Sequence, residues 1–288
     1  MRVGIIGGSG LYQIEGLEHV ETISIDTPFG KPSDDLVKGE MFDKEVIFLP
    51  RHGKGHRLTP TEVNARANIY ALKMMQVEAI LSFSAVGSLK PEIKPGDFVI
   101  IDQYVDRTNQ ARPQTFFGDG IVAHIQFAHP LCPQIREVLL QAGEDMDIDV
   151  KDGGTYINME GPAFSTLAES LLYKSWNMDV IGMTQMNEAR LAREAEICYA
   201  TLATVTDYDC WHEAETGETV SVDAIIKVLS QNVERSKKII RQAVRLLSQE
   251  SDCSCKHALE NSIVTPKEYW AAETKNKLGP IIQKYTNE

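Results

Sequence analysis

The chain is 288 residues long, 43% hydrophobic, with a formal charge of -12. That length buries a substantial core, and an acidic surface with no Lys/Arg stripe argues against nucleic-acid binding. No apolar run is long enough to span a bilayer, and the first residues show neither an h-region nor a small-residue cleavage site, so a cytoplasmic protein without membrane attachment is expected.

Apolar runs alternate with helical patterns, which favours an α/β fold. The first run, RVGIIG at 2–7, leads into Gly8-Ser9-Gly10. A dinucleotide loop requires G-x-G-x-x-G, but Gln13 stands at the third glycine, and no Gly-Lys-Ser/Thr follows for a Walker A loop. What remains is either an ordinary turn or a loop whose backbone N–H groups and one hydroxyl suit a small anion. EVIFLP (45–50) is followed by Arg51, His52 and, after two glycines, His56. Residues 58–75 read as a helix with Thr59 as N-cap, Pro60 at the first position and Glu62 completing a capping box. Its apolar face is Val63, Ala67, Tyr70 and Met74.

EAILSF (78–83) runs into Ser84-Ala85-Val86-Gly87-Ser88, and DFVIID follows at 97–102. A helix is expected over 133–146, with Ile135, Val138, Leu139, Ala142 and Met146 on one face. GTYINM (154–159) precedes Glu160-Gly161-Pro162 and Phe164-Ser165. DVIGM (179–183) precedes Thr184, and ICYATLATV (197–205) precedes Thr206-Asp207-Tyr208-Asp209. A long amphipathic helix starts near Ser221, and ESDCSCKHALENS reads as a loop before a last helix from about Pro266. One domain is expected, with 1–249 as its body and 250–288 as a C-terminal loop and helix appendage.

Polar residues follow six of these strands, and ligand sites of α/β sheets form where strand ends diverge. Arg51, His52, Ser9, Ser84 and Thr184 are donors, the combination a tetrahedral oxyanion wants. Phe164, Ser165, Met183, Asp207 and Asp209 suit an apolar slot with two carboxylates, although Phe164 and Met183 suit a core equally well. Residues i and i+2 of a strand share a face, and close carboxylates beside apolar surface push one pKa upward, leaving a proton donor near neutral pH. A solvated turn is the alternative for Asp207-Tyr208-Asp209.

The five cysteines are too spread for a disulfide framework and form no C-x-x-C pair for zinc. Cys253 and Cys255 read as thiols on a mobile tail or as a redox pair. His52 and His56 have i, i+4 spacing, but the glycines between them break the helix a metal pair needs, so no metal is expected.

GGSGL, TPFGKPS, LPRHGKGHRLTPTEVNARANI, GSLKPEIKPGDFVIIDQYVDRT, EGPAFSTLAES and TDYDCWH together resemble the 5'-methylthioadenosine phosphorylases of the trimeric purine nucleoside phosphorylase branch. The likeness runs from residue 1 to about 245. It implies a single-domain nucleoside phosphorylase-like α/β fold, a central mixed β-sheet surrounded by helices, and phosphorolysis of 5'-methylthioadenosine. Inorganic phosphate is the implied co-substrate, with no metal or organic cofactor. By family pattern Ser9, Arg51, His52, Ser84, the Ala85 backbone and Thr184 hold phosphate, and Phe164, Ser165, Asp207 and Asp209 hold the base. Met183 lies under the ribose, and His56, His124, Val222 and Ile225 border the methylthio group.

Asp207 then serves as general acid to purine N7, while Asp209 accepts from a 6-amino group. The apolar Val222 and Ile225 favour a thioether over a hydroxyl. Ala163, Asn187 and the segment around Arg112 depart from the family pattern, away from the groups assigned to chemistry. A homotrimer or a pair of trimers is implied. Phosphorolysis of 6-oxopurine nucleosides or methylthioinosine, a non-catalytic nucleoside sensor and an NAD(P)-dependent reductase are the competing readings.

Overall fold

The computed structural model describes residues 1–8, 11, 16–109, 112–217, 222–248 and 253–286. In chain order the elements are β1 (Arg2–Gly7), β2 (Glu18–Ile23), β3 (Leu36–Met41), β4 (Lys44–Pro50), α1 (Ala65–Met74) and β5 (Ala79–Ser88). Then come β6 (Phe98–Ile100), β7 (Gln103–Arg107), α2 (Pro133–Asp145), β8 (Val150–Asp152), β9 (Thr155–Met159), α3 (Leu167–Ser175) and β10 (Val180–Gly182). The last are α4 (Gln185–Glu194), β11 (Cys198–Tyr208), α5 (Trp211–Thr216) and α6 (Val222–Leu246), followed by a tail of short helical turns. The strands form one mixed sheet, and the fold is α/β.

Strand alternation sorts the core onto two faces. Ile6, Ile47, Leu49 and Ile80 meet Ile69 of α1 and Leu191 of α4 on one face. Val3, Val46, Phe48 and Leu81 meet Leu139 of α2 and Ile239 of α6 on the other. The tail joins both: Leu259, Trp270, Leu278 and Ile282 pack into the first cluster, Cys253 and Cys255 into the second. Among the described residues no helix is long and apolar enough to cross a membrane.

Two local expectations change. Thr59 and Glu62 form only half of a capping box: Glu62 accepts from the Thr59 N–H at 2.9 Å and from its hydroxyl at 2.8 Å, while the Glu62 N–H donates to the Thr59 carbonyl and not to its side chain. They close a separate turn, however; α1 begins five residues later, where the Asn64 side chain accepts from Ala67 N–H. The tail's α-helix starts at Ala272 instead of Pro266, after a 3-10 turn over Lys267–Tyr269.

The placement of the site follows from β5. Along one edge β5 pairs with β11 in parallel from Ala79 to Ser88. On its other edge it pairs with β1 only as far as Ser82, and with β10, antiparallel, only at Gly87 and Ser88. Phe83 to Val86 therefore have no strand partner on that edge among the described residues. This is where the sheet changes from parallel to antiparallel, a topological break of the kind that opens ligand crevices.

Candidate active site

A cavity of about 400 Å³ opens at that break, within the range of small-molecule sites. Its floor is β5 from Phe83 to Gly87. Arg51, His52 and His56 line it from the turn after β4, Met183 and Thr184 from the end of β10, and Asp207 and Asp209 from β11. Phe164 and Ser165 line the mouth, where Phe164 is 70% exposed, and α6 contributes Ile225, Leu229 and Val233. The Ser84 run was expected beyond a strand end; it lies inside β5 because the strand continues into its antiparallel pairing with β10.

The anion wall is more constrained than residue types suggest. Arg51 is buried against an equally buried Glu188 of α4. Its Nε donates to Glu188 Oε1 at 2.5 Å, and Nη2 donates to Oε2 at 3.1 Å and to Ser82 Oγ at 2.7 Å. Nη1 donates to the Phe83 carbonyl at 2.7 Å. A guanidinium has five N–H bonds, so one, on Nη1, is left. Arg51 thus offers a ligand a single donor from a neutralised pair.

His52 also changes role. Its Nδ1 lies 2.9 Å from the Leu58 carbonyl, which can only accept, so Nδ1 carries the proton. Burial, reinforced by the Arg51 charge, pushes its pKa down to about 4. The ring is therefore neutral at pH 7 and presents Nε2 as an acceptor. It stacks on His56, ring centroids 4.3 Å apart. Thr184 caps α4 without bonding to the first-turn N–H groups, and its Oγ1 accepts from Gln185 Nε2 at 3.2 Å, which leaves its O–H free to donate. The positive end of α4 points to the same place. Gly182 is required beneath it, because a Cβ there would stand 1.9 Å from the Tyr156 hydroxyl.

The carboxylate wall pairs two unlike acids. A register shift in β11 between Val205 and Asp207 brings Asp207 opposite Gly87, where the missing side chain leaves room for its carboxylate. Burial raises the Asp207 pKa to about 6; the Thr206 hydroxyl, donating at 2.6 Å, opposes the shift, and the Asp209 charge adds to it. Asp209 is 7% exposed, and its Oδ2 is buried with no hydrogen-bond partner among the described residues. A buried acceptor without a donor is costly unless a ligand supplies one.

Arg112 shapes the space between the walls. It donates to the carbonyls of Met183 and Glu160, each at 2.5 Å, and to Glu160 Oε1 at 2.9 Å, stapling the loop after β9 to the end of β10.

Ser9 and the side chain of Val222 lie outside the described residues, although Gly8 and Leu11 on either side of Ser9 line the cavity. His124 is exposed and does not line it; its backbone N–H is bonded to the Ser262 carbonyl. The cavity of one chain thus lacks a side chain that the resemblance assigned to the methylthio pocket. Glu188 and Thr206 stand just after strands in the sequence but carried no assigned role there, and Arg112, expected away from the groups assigned to chemistry, bonds the carbonyl of Met183. Leu229 and Val233 were not assigned to the site from sequence, though they repeat at i+4 and i+8 from Ile225, a stripe that periodicity exposes.

A profile described as the phosphorylase superfamily matches residues 2–245. The chain is 56% identical over 283 residues to the S-methyl-5'-thioadenosine phosphorylase of Geobacter sulfurreducens, covering 98% of each chain. Its structure superposes, with a TM-score of 0.91 and 50% identity, on a methylthioadenosine phosphorylase from an antarctic soil metagenomic library, covering 97% of this chain and 98% of that one. A substituted form of the adenosine/methylthioadenosine phosphorylase of Schistosoma mansoni, in complex with methylthioadenosine, gives 0.82 at 38% identity over 87% of this chain and 93% of that one.

Proposed function

Because the chain belongs to the phosphorylase superfamily and, within it, to the S-methyl-5'-thioadenosine phosphorylases, we propose that it cleaves 5'-methylthioadenosine with inorganic phosphate, giving adenine and 5-methylthioribose 1-phosphate. The observation that carries this reading is the pairing of walls in one cavity: an anion-binding wall facing two carboxylates, one raised to about 6 and one with an unpartnered buried oxygen.

Hydrogen phosphate sits at the open edge of β5, with Ser84 and Thr184 hydroxyls and Arg51 Nη1 donating to it. Ser9 and the Ala85 backbone complete the cradle. Neutral His52 accepts a hydrogen bond at Nε2 from the O–H of hydrogen phosphate. The base enters against Phe164 and Ser165, its 6-amino group donating to Asp209. A 6-oxo group would set acceptor against acceptor, a buried mismatch that costs orders of magnitude in rate.

The C1'–N9 bond breaks through an oxocarbenium-like state. Its electron pair goes to the purine, which gains a proton or strong hydrogen bond at N7 from Asp207. Phosphate then forms the new bond to C1'. Met183 underlies the ribose, and His56, Ile225 and Val222 border the thioether.

Assembly belongs to the same proposal. Phe164 and, on α3, Leu167, Leu171 and Leu172, with Trp176 just after it, are 42–70% exposed, a patch that burial against a second copy removes. A trimer or a pair of trimers lets a neighbour's loop bring His124 to the methylthio end. The test of function is adenine release from 5'-methylthioadenosine with and without phosphate, beside adenosine and inosine. Phosphate-dependent release fastest from the methylthio substrate is expected; activity confined to inosine overturns the roles of Asp207 and Asp209.

A further inference from the structure

Four cysteines that are far apart in the sequence meet in the fold. Cys132 caps α2, Cys198 opens β11, and Cys253 and Cys255 begin the tail. All four are buried, and their Sγ atoms lie within 4.8 Å of one another, with Cys132 and Cys253 at 3.4 Å. This overturns the reading of Cys253 and Cys255 as thiols on a mobile tail. They are held in the second core cluster beside Ile135, Leu139 and Leu247.

We propose that Cys132, Cys198, Cys253 and Cys255 form a structural zinc site that fastens the C-terminal tail to the body of the protein. Zinc bound by four thiolates has Zn–S bonds of about 2.3 Å, which places the sulfurs of a tetrahedron about 3.8 Å apart. Mutual distances below 4.8 Å among four sulfurs close to that shape with small rotamer adjustments. A disulfide instead needs two sulfurs at about 2.0 Å and gives the other two no reason to converge on the same point.

One helix end faces the cluster. The Cys132 side chain sits at the N-cap of a 13-residue helix and makes no bond to its first-turn N–H groups, so the positive end of the helix is available to a sulfur anion. Binding exchanges four S–H protons for one Zn²⁺, with no change of oxidation state.

The site lies apart from the cavity, at the opposite end of β11 from Asp207, so it acts on stability and leaves the reacting groups alone. It closes a covalent path between β11, α2 and a tail that supplies Leu259, Trp270, Leu278 and Ile282 to the core.

The experiment measures zinc by mass spectrometry on the full-length protein purified under reductant, with thiols counted in parallel. About one zinc per chain is expected. All five cysteines should react in denaturant with chelator and without reductant, while in the native protein only Cys210 reacts. Cys253→Ser and Cys255→Ser should each lower bound zinc by about tenfold or more. A chelator should lower the melting temperature of the wild type and not of these variants. A single reactive thiol in denaturant, with a mass four hydrogens lower, would show two disulfides and overturn the proposal. So would five reactive thiols and no zinc retained after incubation with zinc chloride under reductant.

Discussion

Replacing Glu188 with Gln tests the anion wall at its base. The side chain keeps its size and one acceptor for Arg51 Nε but loses its charge. Arg51 and Glu188 are 2% and 1% exposed, so the variant leaves an uncompensated guanidinium in the interior. Breaking a buried pair in this way costs about 3–5 kcal/mol. In a protein of this size 1 kcal/mol corresponds to roughly 2 °C, so the melting temperature should fall by about 6–10 °C. Phosphate then supplies the missing charge. Its affinity should rise about tenfold, which adds ~1.4 kcal/mol of ligand-linked stability beyond what it gives the wild type. Thermal unfolding followed across a phosphate titration reads both effects. A drop below about 2 °C, or protection by phosphate that is weaker in Glu188→Gln than in wild type, would refute a neutralised Arg51 beneath the anion.

Asp207→Asn should abolish most turnover on adenine nucleosides while phosphate protection persists; wild-type rates would remove the acid role. The folded pKa of Asp207 is raised, so its stabilising contribution is full below about pH 4 and lost as pH rises through about 6. The Asn variant, free of substrate, should therefore melt higher than wild type at pH 8 and not at pH 4, by about 2–3 kcal/mol at most. On the same basis, wild-type kcat/KM should fall as pH rises above about 6, and the Asn variant should lack that limb. Ile225→Asn should raise the adenosine-to-methylthioadenosine ratio by about tenfold, since a buried hydroxyl gains a partner; an unchanged ratio misplaces the 5' pocket. Arg112→Ala should raise KM for nucleoside more than for phosphate, because it frees the Glu160 and Met183 backbone without touching the anion wall.

The central strands were legible because both faces are buried, giving runs such as VGIIG and VIFLP that need no partner to be recognised. The missed strands carry no such run. β2 reads EHVETI with nearly every residue exposed at one edge of the sheet, β7 reads QYVDR at the other, and β8 is three residues long. Edge strands are polar because one of their sides stays in water. β3, LVKGEM, lies inside the sheet between β2 and β4, but Lys38, Gly39 and Glu40 interrupt its apolar pattern. At the site, residue types pointed to Arg51, His52, Thr184 and the two aspartates, but their chemical states depended on neighbours remote in sequence. Glu188 stands 137 residues from Arg51, and the Leu58 carbonyl that fixes the His52 tautomer follows it only after the chain has turned back. The four cysteines were illegible as a group for the same reason: Cys132 and Cys253 are 121 residues apart.

In the proposed reaction the unpartnered oxygen of Asp209 also bears on how turnover ends. Substrate and product present it with the same amino group, so severing the sugar relieves none of that attraction. Free adenine stays where the nucleoside was, and the enzyme regains an open pocket only when the base dissociates against this contact. The proposed role of Asp209 thereby predicts slow departure of adenine, which strong product inhibition by adenine would show. It also leaves an adenine-filled enzyme primed for the reverse reaction whenever sugar phosphate accumulates.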